Sequence, residues 1–129
     1  MPDTNSASPL GVSYSLRGRR VLVVEDEYML AADLRDQLER EGAEVLGPAP
    51  SVARALLLLA NDPPPSMAFL DINLQGEMAW PVADRLRELG VPFVFATGYE
   101  AAAIPSAYAA VPRAEKPVSV RNLRLAAQG

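Results

Sequence analysis

Four short, mostly apolar runs punctuate the chain at near-constant intervals, with amphipathic stretches between them, and few folds accommodate that rhythm. The runs begin at residues 21, 44, 67 and 93, so successive starts lie 23, 23 and 26 residues apart. Each interval has room for one strand, one helix and two short connections. VLVV at 21–24 is continuously aliphatic, as expected of a strand covered on both faces. MAFL at 67–70 and FVFA at 93–96 read the same way, EVLG at 44–47 is a shorter strand, and Ala114 with Glu115 makes a weak fifth. Leu30, Leu34 and Leu38 recur every four residues among charged and amide side chains, which predicts an amphipathic helix, and Gly42 stands where its C-terminal cap belongs. Ser51 is placed to N-cap a second helix running through Ala60, with Leu56 to Leu59 assigned to the core, and three prolines at 63–65 stop it. Pro81 opens a third helix carrying Val82, Leu86 and Leu89, closed by Gly90. Trp80 reads as an exposed aromatic at the start of that helix, and INLQGEM at 72–78 as a polar loop. The alanine-rich stretch 100–112 is broken by Pro105 and Pro112, so any helix there is short or irregular. A last helix is expected over 120–127, with Leu123 facing inward.

Strand–helix–strand repetition of this kind implies right-handed parallel crossovers, and so a doubly wound, five-stranded parallel α/β sandwich. Residues 1–18, rich in Ser, Pro and Gly and without an apolar period, are expected to form a flexible tail before a single domain at 19–129.

Composition narrows the chemistry. The 129 residues include no cysteine and no histidine, which excludes thiol nucleophiles, Cys/His zinc sites and Ser-His-Asp catalysis. Twelve basic residues include a single lysine, Lys116, so a lysine-dependent step has one candidate. Sixteen acids leave a net charge of −4, without the basic footprint of a nucleic-acid binder. No apolar run approaches the roughly 20 residues a membrane helix needs, and the N-terminus has no signal-peptide layout. A cytoplasmic location is the expectation.

In a doubly wound sheet the site lies beyond the carboxyl ends of the strands. Glu25 and Asp26 follow the first strand, Asp71 the third, Thr97 the fourth and Lys116 the fifth. Taken singly these are ordinary features: an acidic run is usually a solvated loop, an aspartate a turn cap, a lysine a surface charge. Converging carboxylates, however, repel one another unless a cation sits among them. All-oxygen ligation by few carboxylates suits Mg²⁺. An ionised aspartate is also a competent nucleophile toward a phosphoryl group, whose oxygens a metal and an ammonium would neutralise.

The motifs VLVVEDE (21–27), FLDINL (69–74), FATG (95–98) and EKP (115–117), in this order and spacing, resemble the receiver domain of two-component response regulators over residues 20–128. The resemblance implies a flavodoxin-like (βα)5 fold, with Asp71 as phospho-acceptor. Glu25, Asp26, Asp71 and the backbone carbonyl of Asn73 would hold Mg²⁺. Thr97 and Lys116 would bind the phosphoryl oxygens, and the Lys116–Pro117 peptide is expected cis. FATGY at 95–99 is similar to the FATGUY group of receivers, often single-domain regulators. The sequence departs from the general pattern at Arg113, where most receivers carry Tyr or Phe three residues before the lysine. Gly98, Tyr99 and Arg113 are therefore the candidate switch or partner contacts. Phosphorylation is expected to order the 100–112 segment through Thr97 rather than to rotate an aromatic.

The partners implied are a sensor histidine kinase or histidine phosphotransferase as donor and a downstream protein, with no nucleic acid, no membrane and a monomer or weak dimer. With the chain stopping at Gly129, no attached output domain is expected. Such a protein is not a turnover enzyme but catalyses its own phosphorylation and dephosphorylation. Two other readings are a phosphorylation-independent interaction module on the same fold and a haloacid-dehalogenase-like phosphatase. The phosphatase would want an aspartate two residues after the nucleophile, where this chain has Asn73.

Overall fold

The computed structural model describes residues 16–97 and 104–122. In chain order the elements are β1 (Arg20–Val24), α1 (Tyr28–Arg40), β2 (Glu44–Ala49), α2 (Val52–Asn61), β3 (Met67–Asp71), β4 (Asn73–Leu74), β5 (Glu77–Met78), α3 (Trp80–Glu88), β6 (Phe93–Thr97), a single 3₁₀ turn (Ser106–Tyr108) and β7 (Arg113–Glu115). Five strands form one sheet in the order β2-β1-β3-β6-β7. Every pairing in it is parallel. This is the doubly wound sandwich expected from the sequence. From β1 the chain steps outward to β2, then returns across to β3, so the switch in strand order falls between β1 and β3.

The continuous apolar runs are explained by burial on both faces. Val21, Val23, Phe69, Val94 and Ala96 join Leu34 and Leu38 of α1 in one layer. Leu22, Val24, Ala68, Leu70 and Phe95 join Ala55 and Leu59 of α2 and Val82 and Leu86 of α3 in the other. Alternate residues of each strand thus enter opposite cores, and each fully buried Leu, Val or Phe contributes roughly 1.5–3 kcal/mol.

Local signals set the boundaries. Ser51 Oγ accepts from the Arg54 amide at 3.1 Å, capping α2 as expected. Gly42, at φ 90°, ends α1, its amide donating to the Glu39 carbonyl and that of Ala43 to the Leu38 carbonyl. β2 runs two residues past the expected Gly47, through a cis Gly47–Pro48 peptide and a register shift opposite β1. Gly47 has φ 98°, and a Cβ there would lie 2.8 Å from the Ala49 nitrogen and 2.9 Å from the Val23 carbonyl, so only glycine fits.

Four expectations need correction. The folded body reaches back to Leu16, which is 3% exposed, while the Gly18 amide donates to the Gly42 carbonyl, so the boundary at residue 18 is too late. The loop after Asp71 is not simply polar: Ile72 and Leu74 are buried, and β4 and β5 pair as a hairpin turned at Gln75 and Gly76, both at positive φ. Leu57 is 52% exposed, so the leucine run of α2 is only partly core; an unbroken run must wrap right round a helix. Trp80 is not a free aromatic but packs into the α3 side of the sandwich. Helix begins at Val120, with Ser119 Oγ accepting from the Asn122 amide, but Leu123 and the rest of 120–127 lie outside the described residues, as do Gly98 and Tyr99. Among the described residues no helix is long and apolar enough to cross a membrane.

Candidate functional site

The carboxyl ends of β1, β3, β6 and β7 lie side by side, and each delivers one of the expected groups. Glu25 leaves β1 with its amide bound to the Ala49 carbonyl at 3.0 Å. Its Oε2 turns back to accept from the Glu27 amide at 3.0 Å, which holds the side chain inward at 4% exposure. Asp71 is the last residue of β3 and wholly buried, its Oδ1 accepting from the Asn73 amide at 3.2 Å. Thr97 ends β6, 3% exposed, and its carbonyl accepts from the Lys116 amide at 2.8 Å. That bond ties the lysine backbone to the end of β6, and the Lys116–Pro117 peptide is cis, as the resemblance implied. The Lys116 Nζ donates to Asp71 Oδ2 at 2.8 Å and lies 3.8 Å from Glu25 Oε1.

Carboxylate oxygens of Glu25, Asp26 and Asp71 all lie within 4.8 Å of one another. Three acids against one ammonium leave the cluster short of positive charge. Burial pushes the Glu25 carboxyl up from its ordinary 4.5 to about 8, with the nearby Asp71 charge adding to the effect and the Glu27 amide and Lys116 opposing it. Burial also raises Asp71, against the hydrogen bond from Lys116. A buried cluster of carboxylates whose ionisation burial opposes, with oxygen donors only, fits a hard divalent cation such as Mg²⁺. A cleft of about 240 Å³ opens beside it, lined by Glu25, Asp26, Tyr28, Arg35 and Pro50 among others. A larger cavity of about 450 Å³ lies at the opposite edge of the sheet, against Met67, Phe93 and Pro112, and its lining includes no carboxylate.

Glu25, Asp26, Asp71, Thr97 and Lys116 thus converge as the spacing of the motifs predicts. Asn73 adjoins them through its amide, and its side-chain Oδ1 accepts from the Gly76 amide at 2.6 Å, bracing the hairpin. Arg113 is exposed on β7, opposite Phe95, and takes no part in the acid cluster. The sequence reading missed an aromatic group beneath the site. Trp80 stacks on Tyr108 with centroids 5.1 Å apart, and Phe95 meets both rings edge-on. The signal available was Phe95 two residues before Thr97, on the same face of β6, but Tyr108 was hidden in the broken alanine-rich stretch.

No family model matches the chain. It is 37% identical over 84 residues to the sensory transduction protein LytT of Bacillus anthracis; the match covers 63% of this chain and 34% of LytT, so the chain spans about a third of the length of the curated relatives it matches. Among solved structures, SdrG from Sphingomonas melonis Fr1 is 35% identical, covering 86% of this chain and 96% of SdrG with a TM-score of 0.74. The BeF3-activated conformation of SdrG, from Pseudomonas melonis Fr1, superposes with a TM-score of 0.70 over 84% of this chain and 93% of that one, again at 35% identity. The response regulator PhyR from Brucella abortus shares the fold, with a TM-score of 0.73 at 24% identity over 95% of this chain and 51% of PhyR. Similarity to SdrG over 96% of its length, the sheet order and the acid pocket agree, and the chain belongs to the response-regulator receiver domains.

Proposed function

We propose that this receiver accepts a phosphoryl group on Asp71 in a Mg²⁺-dependent reaction, from a histidine kinase or a histidine phosphotransferase, and signals through protein contacts. The observation that carries the reading is the buried Asp71 carboxylate held between the Lys116 ammonium at 2.8 Å and the neighbouring Glu25 and Asp26. An Asp71 oxygen attacks phosphorus, the bond from phosphorus to the donor nitrogen breaks, and an acyl phosphate forms. Glu25, Asp26, Asp71 and the Asn73 carbonyl would hold the cation, which when bound supplies charge neutralisation for the phosphoryl oxygens. Lys116, 2.8 Å from Asp71, supplies a second positive charge, and the Thr97 hydroxyl donates to a phosphoryl oxygen. FATGY at 95–99 supports placement in the FATGUY group. That SdrG has a BeF3-activated conformation supports activation of this receiver by a phosphoryl-like ligand. A cytoplasmic location accords with this role.

The test is intact-protein mass after incubation with Mg²⁺ and acetyl phosphate, beside an Asp71→Asn variant. One phosphoryl group gained by the native chain alone, and lost when Mg²⁺ is chelated, is the expected result. No gain from acetyl phosphate or from a phosphorylated histidine kinase, with protein shown to be folded, would overturn it.

A further inference from the structure

Segment 104–112 connects the Thr97 side of the sheet to β7, and Tyr108 is its one buried side chain among the described residues. Among the described residues, the ring and ion contacts of its side chain come from α3 and β6. Its ring stacks on Trp80 with 14° between planes and lies edge-on to Phe95 at 6.0 Å. Its hydroxyl donates to Asp84 Oδ1 at 2.5 Å. The Arg87 guanidinium sits 4.5 Å from the ring centroid and also donates to the Ala107 carbonyl at 2.6 Å. Asp84 and Arg87 are one turn apart on α3, so a single helix face grips the ring, the hydroxyl and the adjacent backbone.

We infer that Tyr108 is a positioning residue, a latch that holds segment 104–112 on α3 and whose opening is suppressed when Asp71 is phosphorylated. The latch is joined to the acid by short covalent and hydrogen-bonded links. Trp80 is the first residue of α3, and the preceding Ala79 donates its amide to the carbonyl of Ile72, next to Asp71. On the other side Phe95 precedes Thr97 by two residues on the same strand face. A phosphoryl group held by the Thr97 hydroxyl fixes the chain where it leaves β6, which lowers the entropy of undocked arrangements and favours the closed latch. Arg113 occupies the place where most receivers carry their switch aromatic, and Tyr108 supplies an aromatic from an earlier position in the chain. This coupling rests on the receiver reading given above; the latch itself does not.

Amide exchange followed by NMR tests both parts. The reporters are the Tyr108 and Val111 amides, bound to the Pro105 and Tyr108 carbonyls, with the β3 amide of Leu70 reporting global unfolding. Removing a hydrogen bond to a charged acceptor with Tyr108→Phe is expected to raise local opening about tenfold while Leu70 is unchanged. Asp84→Asn is expected to act in the same direction, and the double variant to open no further than Tyr108→Phe alone. Unchanged opening in both single variants, or effects that simply add, would overturn the latch. In the native chain, Mg²⁺ with beryllofluoride is expected to slow Val111 exchange at least threefold. An unaltered rate in protein that gains mass with acetyl phosphate would overturn the coupling. Failure to gain mass strikes the receiver reading instead, so the two failures are distinguishable.

Discussion

The absence of histidine makes the acid pocket unusually easy to watch by pH. Between about pH 5.5 and 7.5 no imidazole titrates in this chain, so a change in stability there reports the buried carboxylates. The Glu25 carboxyl stands near 8 in the metal-free fold against 4.5 ordinarily, so through this window the native state holds about one proton more than the unfolded chain. Stability must then fall as pH rises, since the state binding more protons is the folded one. One excess proton corresponds to about 1.4 kcal/mol per pH unit, so the window is worth on the order of 2 kcal/mol. That is a large part of the 5–15 kcal/mol typical of a domain. The assay is urea unfolding in EDTA at several pH values, repeated with 10 mM Mg²⁺. Metal-free stability is expected to decline toward high pH, and Mg²⁺, taking the proton's place among the oxygens, to level the profile. Glu25→Gln, which cannot ionise, is expected to flatten most of the metal-free slope. A flat native profile in EDTA, or a full slope retained in Glu25→Gln, would show that burial of this acid does not govern the pocket.

Lys116→Met removes the ammonium that opposes proton uptake by both buried acids, so the pH-dependent loss of stability is expected to move to higher pH; an unmoved or lowered midpoint in the same titration refutes the assignment. Gly47→Ala, with a Cβ under 3.0 Å from two backbone atoms, is expected to lose more than about 2 kcal/mol in urea unfolding. Gly76→Ala, at similarly positive φ but with nothing within 4 Å of the added Cβ, is expected to lose only about 1 kcal/mol, and equal losses would contradict the steric argument.

Most of the sheet was legible because strands buried on both faces leave an unambiguous apolar run, as at 21–24 and 93–96. The site residues were legible because they follow or end those runs directly: once the strand ends are known, Glu25, Asp71 and Thr97 are brought to one edge by topology alone. What escaped depends on tertiary contact. Ile72 and Leu74 sit in a stretch too short for periodicity to register, yet the hairpin buries both. Gly47 and Pro48 look like the end of a strand, but β2 is an edge strand and tolerates a proline and an irregular register. Tyr108 gives no local signal, since its partners Trp80, Asp84 and Phe95 come from earlier elements. Leu16 is buried by long-range packing that composition cannot foresee.

The acid and the lysine of the pocket ride on strands of very different tenacity. Asp71 closes β3, five residues long, flanked on both sides and buried at every position. Lys116 follows β7, three residues at the sheet margin, registered only against β6 and exposed at two of its three positions. Short margins fray first, so amide protection is expected to be greatest around Asp71 and least around Arg113 to Glu115. The carboxylate is therefore mounted on a central, doubly flanked strand, and the ammonium beside a short strand at the margin. Fraying of β7 is thus expected to carry the ammonium away from Asp71 while the bed in which the acid is set stays in place.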